Sequence, residues 1–109
     1  MIGDPSFLGA SFRYLDRLVT IPAAGTNQLC VADSQRVALW FSTSSLQAYI
    51  RPNQVPVGTA GIGIQSGMSP VGFHFRSDGG LVQQAWFGQA PVGADVYVLE
   101  ILFQPVREG

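Results

Sequence analysis

The chain of 109 residues has the length of a single domain, and its 47% hydrophobic residues are enough to form a core. Charged residues make up only 12%, the net charge is −1, and all six basic residues are arginines scattered along the chain. This balance argues against a basic surface for nucleic acid. Either the protein is sparingly soluble, or a partner normally covers part of its charge-poor surface, which is the interpretation we favour.

The N-terminal segment and the cysteine content indicate the compartment. Residues 1–7 contain neither a basic region nor the long apolar run of a secretory signal, and no stretch has the length of a membrane-spanning helix. Cys30 is the only cysteine, so no intramolecular disulfide can form, and its apolar neighbours predict a buried side chain. We expect synthesis in a reducing cytoplasm and no membrane partner.

Residues 1–18 are predicted to form an extended arm, with one helical turn at most, ahead of a single domain at residues 19–109. Glycine and proline near the start disfavour a longer helix. The arm is apolar, so it needs a surface to lie on. It either packs on its own domain or clasps a neighbouring subunit. The arm residues predicted to make that subunit contact are Phe7, Leu8, Phe12, Tyr14 and Leu15.

The rest of the first half has the period-two pattern of β-strands interrupted by turn residues. In the clearest strand Val37, Leu39 and Phe41 are predicted to point inward, whereas Arg36 and Trp40 point away. Two prolines and a glycine then predict a loop over residues 52–58. The predicted strands cover residues 18–21, 28–32, 36–42 and 46–51.

The second half continues the β pattern. A strand at residues 61–65 is followed by one at 71–76, where Val71, Phe73 and Phe75 are predicted to face inward. An Asp-Gly turn at residues 77–80 predicts a β-hairpin with a return strand at 81–87, and a loop follows at 88–94.

The last strand, residues 95–103, is predicted to be covered on both faces, because both are apolar. Tyr97, Leu99, Ile101 and Phe103 are assigned to the core. The opposite face is predicted to be a subunit contact; it consists of Val96, Val98 and Leu102 around Glu100. Roughly eight such strands, 8–12 residues apart, predict an all-β fold, an antiparallel β-sandwich or jelly roll.

No sequence motif indicates catalysis or a cofactor. His74, the only histidine, lies on the polar side of its strand, so neither a metal site nor a Ser-His-Asp triad is expected. The fingerprints of nucleotide-binding loops are absent from the sequence. We therefore expect a non-enzymatic protein without cofactors.

Three aromatic residues, Trp40, Tyr49 and Trp86, alternate to the face opposite the inward-pointing positions. They are interpreted as subunit contacts or as part of a second packed layer. The alternative is a carbohydrate-binding module in which these rings stack on sugars.

The strands at residues 36–42, 61–65, 70–75, 80–87 and 95–100 resemble those of small virion proteins of tailed bacteriophages. The features shared with that group are an Arg-x-x-Leu strand, a central Gly-Ile strand and a closing Val-x-Val-x-Glu strand. The resemblance implies a structural role, foremost as a capsid decoration or cement protein on the capsid surface. It also implies a homo-oligomer, with a trimer as one candidate, bound to the major capsid protein. A head–tail connector and a tail or fibre component share the same pattern and remain alternatives.

Overall fold

The structure, a computed structural model, describes residues 10–56 and 60–105. Phe7 and Leu8, which the sequence analysis assigned to a subunit contact, lie outside the described residues. The described elements in chain order are β1 (Ala10–Ile21), β2 (Gly25–Cys30), β3 (Arg36–Thr43), β4 (Ala48–Pro52), β5 (Ile62–Ile64), β6 (Val71–His74), α1 (Phe75–Asp78), a 3-10 helix (Gly79–Gln83), β7 (Trp86–Ala90) and β8 (Ala94–Pro105).

The strands form two four-stranded sheets that pack face to face. Sheet A has the strand order β1-β8-β3-β6, and sheet B has the order β2-β7-β4-β5. The strand pairs within both sheets are antiparallel. The predicted all-β sandwich of about eight strands is therefore confirmed.

The core lies between the sheets and centres on Trp86 of β7. The centroid of its ring lies 5.1 Å from that of Phe41 and 4.9 Å from that of Phe73, so sheet A and sheet B meet at this side chain. Its Nε1–H donates to the carbonyl oxygen of Leu81 at 3.1 Å, which satisfies the one polar atom of the ring. Aliphatic core residues surround this cluster, and they are Ile21, Leu29, Leu39, Ala48, Ile50, Ile64, Ala90, Ala94, Val96 and Val98.

Strand β1 is longer than the sequence predicts. It pairs with β8 from Ala10↔Pro105 to Ile21↔Ala94 without a register shift, so the strand runs through residue 18, where the arm was expected to end. Residues 10–18 are extended, and within the described part of the chain they are paired with a strand of their own domain. Pro22, which cannot continue the hydrogen-bonded ladder, follows the last residue of the strand.

The hairpin predicted at residues 77–80 is wrong. After β6 the chain forms α1 and the 3-10 helix, and it then enters sheet B as β7. The backbone N–H of His74 donates to Oδ2 of Asp78 at 2.8 Å. Through this local bond, Asp78 stabilises the start of a helical turn, where a hairpin was predicted. As a result Phe75, predicted to face the core, is exposed.

The two faces of β8 are assigned in reverse by the sequence analysis. Val96, Val98 and Leu102, predicted to contact another subunit, are buried against sheet B. The opposite side chains, predicted to lie in the core, point away from sheet B, and Tyr97 among them is exposed. Sheet B covers only one face of β8. Because both faces of this strand are apolar, its sequence does not indicate which of them is covered.

Candidate functional site

The outer face of sheet A, formed by the side chains that point away from sheet B, carries a largely apolar surface. The facing pairs of β1 and β8 on this side include Phe12 with Phe103, Tyr14 with Ile101, Asp16 with Leu99 and Leu18 with Tyr97. Phe12 is 53% exposed, Tyr14 65%, Leu18 57% and Tyr97 53%. Large apolar side chains that occur singly on a surface are ordinary, but a contiguous group of them marks an interaction site.

Cross-strand packing positions the ring of Phe12. The rings of Phe12 and Phe103 meet edge to face, with their centroids 5.9 Å apart. Such a pair stabilises the association of two strands by about 0.5–1.5 kcal/mol beyond its buried area. The ring of Phe12 is therefore packed against its own sheet and is still half exposed.

A depression of about 370 Å³ lies on this face, where β1, β8 and β3 run side by side. Trp40 and Tyr97 provide aromatic walls, and Asp16 provides a carboxylate. The remaining lining residues are Ser42, Pro70 and Leu99. An apolar depression with a few polar groups is the usual form of a small binding site.

The position of Trp40 in this depression depends on Gly72 of β6. The two residues are directly opposite each other in the β3–β6 ladder. A Cβ atom at residue 72 would lie 2.2 Å from Nε1 of Trp40, so the indole occupies the space that a side chain would fill. On its other side the ring meets His74 edge to face, with centroids 5.1 Å apart.

Beneath β8 the molecule contains a buried ion cluster of Arg36, Glu100 and Arg17. Arg36 is 0% and Glu100 2% exposed. Nε of Arg36 donates to Oε1 of Glu100 at 2.8 Å, and Nη2 lies 2.6 Å from the same oxygen. Arg17, whose side chain is 43% exposed, bonds to the second carboxylate oxygen, Oε2.

The guanidinium of Arg36 also donates to three backbone carbonyls. Nη1 reaches the oxygens of Val82 and Gln84 at 3.0 and 3.1 Å, and Nη2 reaches that of Val31 at 2.5 Å. These carbonyls belong to the segment after β2 and to the segment before β7, so the cluster ties sheet A to two connections of sheet B. The guanidinium nitrogens of Arg36 and the carboxylate oxygens of Glu100 all have hydrogen-bond partners inside the protein, which indicates a structural role.

Arg36 was predicted to lie on the outer side of β3, and this prediction is wrong, because its side chain is buried on the inner side. A register shift between Arg36 and Ala38 adds a residue to β3 against β8 and changes the phase of the alternation. Leu39 and Phe41, beyond the shift, face inward as predicted.

Cys30 is buried next to this cluster, as predicted. Burial raises the pKa of its thiol to about 11, an increase that the positive charge of Arg36 partly offsets. A thiol with such a pKa is almost entirely protonated at neutral pH and is a poor nucleophile or metal ligand. Cys30 is therefore a core residue.

The residues predicted to make subunit contacts are found in three environments. Phe12, Tyr14 and Trp40 lie together on the outer face of sheet A. Leu15 is exposed on the opposite side of β1, facing Glu100 in the ladder, and Tyr49 lies half-buried on β4 of sheet B. The contact assignments of Trp86, Val96, Val98 and Leu102 are corrected, because these side chains are buried inside the sandwich.

The outer face contains residues that the sequence analysis did not select. Asp16 and Leu18 of β1 and Tyr97 and Leu99 of β8 join it because the two strands are paired along their full length. The uninterrupted run of strand-forming residues from Ala10 to Ile21 is the signal that could have indicated this pairing.

Other classes of site receive no support. Among residues 10–56 and 60–105, no three His, Cys, Asp or Glu side chains gather closely enough to hold a metal ion. Within the same residues, no helix has the length and hydropathy that a membrane crossing requires. Comparison with protein-family models and with curated protein sequences finds no match to this chain.

Proposed function

We propose that the protein is a non-enzymatic structural subunit of a phage virion, a decoration or cement protein that attaches to the capsid shell through the outer face of sheet A. The observation that carries this proposal is the exposed, largely apolar face built from β1 and β8. The strand pattern resembles that of small virion proteins of tailed phages, and this resemblance is the reason for proposing a phage virion as the assembly. The low charge content agrees with a surface that a partner covers.

The size of the exposed rings shows what such attachment requires. Burying the exposed half of Phe12, Tyr14 or Tyr97 removes on the order of 100 Å² from water, about 2.5 kcal/mol for each ring. Together the three rings provide about 7.5 kcal/mol, which lies within the 4–15 kcal/mol lost on association. Stable binding therefore needs most of the outer face, together with Trp40 and Leu18.

The proposal is tested with purified protein and capsid shells that lack it. We expect co-sedimentation to saturate at a stoichiometry set by the shell lattice. The variant Tyr97→Asp is expected to bind at least about ten-fold more weakly, because a carboxylate would be buried without a partner. Leu46→Asp is the matched control, since Leu46 is 76% exposed in the turn before β4. Equal binding by the two variants, or no binding by the wild type, would contradict the proposal.

A head–tail connector or tail component is the alternative that shares this surface. It differs in copy number, which quantitative mass spectrometry of purified particles measures. A copy number close to that of the shell subunits supports the cement role, whereas one close to that of a single ring of subunits supports the connector or tail role.

A second candidate function is carbohydrate binding in the depression between Trp40 and Tyr97. Two aromatic walls with a carboxylate at Asp16 are suited to stack on a sugar ring and to accept its hydroxyl hydrogens. A glycan array probed with the wild type and with Trp40→Ala tests this function. Binding that the substitution abolishes supports it, and an array without hits removes it.

A further inference from the structure

Within residues 10–56 and 60–105, the edge of sheet A at β1 has no neighbouring strand, and it is called the open edge. β1 is the edge strand, and its 12 residues contain no glycine, no proline and no bulge. Proteins usually protect an edge by shortening it, by inserting proline or a bulge, or by covering it. Residues 11–18 are all exposed, so this edge carries none of these protections. Charge, a further means of protecting an edge, is present at Arg13, Asp16 and Arg17, and it restricts the registers in which another strand can pair.

The hydrogen bonds of β8 with β3 and with β1 show which backbone groups of β1 point to the open edge. The N–H of Phe103 points to β3, where it donates to the carbonyl oxygen of Gln35 at 2.7 Å. By alternation, the odd-numbered residues of β8 bond to β3 and the even-numbered ones bond to β1. Glu100, which is even-numbered, faces Leu15, so the odd-numbered residues of β1 are the ones that bond to β8.

The even-numbered residues of β1 therefore direct their N–H and C=O groups to the open edge. Thr20 agrees with this assignment, since its carbonyl oxygen accepts a bond from Nδ2 of Asn27 at 3.0 Å, away from β8. Phe12, Tyr14 and Asp16 are left with backbone groups that point into solvent, at the centre of the exposed run.

We propose that this edge pairs with β1 of a second copy of the chain, antiparallel and about a two-fold axis. The two-fold axis is perpendicular to the sheet and can pass either through a residue of β1 or between two residues. Only an axis through a residue places side chains of the same face of the sheet opposite each other. An axis at Arg13 or at Asp16 opposes two like charges directly. An axis at Leu15 sets Arg13 against Arg17 of the second copy. Direct like-charge opposition across a strand pair is destabilising.

An axis at Tyr14 avoids these conflicts. It sets Tyr14 against Tyr14 of the second copy, Phe12 against Asp16 and Arg13 against Leu15. Tyr14, Phe12 and Asp16 all direct their backbone groups to the open edge, so each facing pair exchanges both of its N–H···O=C bonds. Every axis at a residue position pairs even-numbered with even-numbered residues and so has the same hydrogen-bond phase. Among the axes at residues 13–16, it is the charge pattern that selects Tyr14.

Pairing in this register joins two copies of sheet A into one continuous eight-stranded sheet and brings their apolar outer faces side by side. The two-fold contact is closed, so it produces a dimer and not the trimer that was one candidate for the homo-oligomer. This inference concerns the edge of the sheet and goes beyond the proposed function. Dimerisation is measured on the isolated protein, so its failure is distinct from a failure to bind capsid shells.

Sedimentation equilibrium over a concentration series tests the dimer with two substitutions at one residue. Tyr14→Pro removes an edge N–H without touching the bonds to β8, and proline is tolerated at an edge when its N–H side faces solvent. We expect its dimer Kd to rise at least about ten-fold, since two central hydrogen bonds are lost. Tyr14→Thr, which keeps the N–H and a strand-forming residue, is expected to change Kd less than about three-fold.

Cross-linking tests the register independently of proline. In Tyr14→Cys the two introduced thiols face each other at a Cα–Cα distance of about 5.5 Å, within the range of a disulfide. We expect rapid formation of a covalent dimer on oxidation with diamide. Leu18→Cys is the control, because its two thiols would lie about 26 Å apart along the strands.

Four results would overturn the inference. The first is a wild type that stays monomeric at millimolar concentration. The second is a Tyr14→Pro variant that circular dichroism shows to be folded and that dimerises as tightly as the wild type, and the third is a Tyr14→Thr variant that weakens the dimer as much as Tyr14→Pro does. The fourth is cross-linking of Leu18→Cys that is as fast as that of Tyr14→Cys. If Tyr14→Pro does not fold, the cross-linking pair decides alone.

Discussion

Replacing Arg36 with methionine removes the buried guanidinium that links β3, β8 and two connections of sheet B, and it keeps a side chain of similar length. The substitution leaves the carboxylate of Glu100 with Arg17 as its remaining charged partner. It also leaves the carbonyl oxygens of Val31, Val82 and Gln84 without the donors that reach them at 2.5, 3.0 and 3.1 Å. Of these groups, the carboxylate of Glu100 and the carbonyl of Val82 are the ones that the fold has already removed from water.

The expected cost is large for a domain of this size. Removing one partner of a buried ion pair costs about 3–5 kcal/mol, and each stranded carbonyl adds up to about 1–3 kcal/mol, although such terms do not add fully. We expect Arg36→Met to lower the free energy of unfolding by about 4 kcal/mol, from a total of about 5–15 kcal/mol. At about 4 °C for each kcal/mol, Tm falls by about 16 °C.

Urea denaturation followed by tryptophan fluorescence measures this loss, and an unchanged m-value shows that two-state unfolding persists. Arg17→Met is the matched control, because Arg17 bonds to the same carboxylate from a side chain that is 43% exposed. An exposed partner contributes at most about 1 kcal/mol. The double variant Arg36→Met/Glu100→Leu is expected to regain part of the loss, since it removes the stranded charge but not the stranded carbonyls.

Two results would refute the reasoning. A loss below about 1 kcal/mol for Arg36→Met would show that the cluster does not hold the connections in place. Equal losses for Arg36→Met and Arg17→Met would show that burial does not distinguish the two arginines.

Three further predictions concern the outer face and the core. Gly72→Ala is expected to displace the indole of Trp40, shifting its fluorescence and costing about 1–3 kcal/mol in urea denaturation, whereas Gly80→Ala, whose Cβ meets no atom within 4 Å, leaves the emission spectrum unchanged. Val98→Asp is expected to prevent stable folding, because it buries a carboxylate in the core, and a wild-type circular dichroism melt would contradict this. Cys30 is expected to resist iodoacetamide at pH 8 until urea unfolds the protein, and rapid labelling of the native protein would contradict its burial. Because the pKa of its thiol rises from 9.0 to about 11 on folding, the free energy of unfolding is expected to fall as the pH increases through that range.

The local sequence determined much of the β-structure. Alternation predicted that Leu39 and Phe41 face the core, and the strand at residues 95–103 lies within β8, Ala94–Pro105. Regularly spaced turn residues predicted the number of strands and the antiparallel sandwich. These features depend on the chemistry of neighbouring residues, which is present in the sequence itself.

The candidate site was predicted only in part. Phe12, Tyr14 and Trp40 were selected as contact residues and do lie together on the outer face of sheet A. Tyr97 was assigned to the core and instead lies on that face, next to Leu18. Both faces of β8 are apolar, so the period-two pattern gives no preference between them.

Only the tertiary structure decided which face of β8 is covered. Glu100, a charged residue, lies on the buried face because Arg36 and Arg17 arrive from two other strands to neutralise it. Their separation of 64 and 83 residues from the glutamate places this compensation beyond any local pattern. The sequence by itself thus determined most of the strands and their apolar content. Long-range pairing and the bulge at Arg36 decided which apolar surface became the core and which was left for a partner.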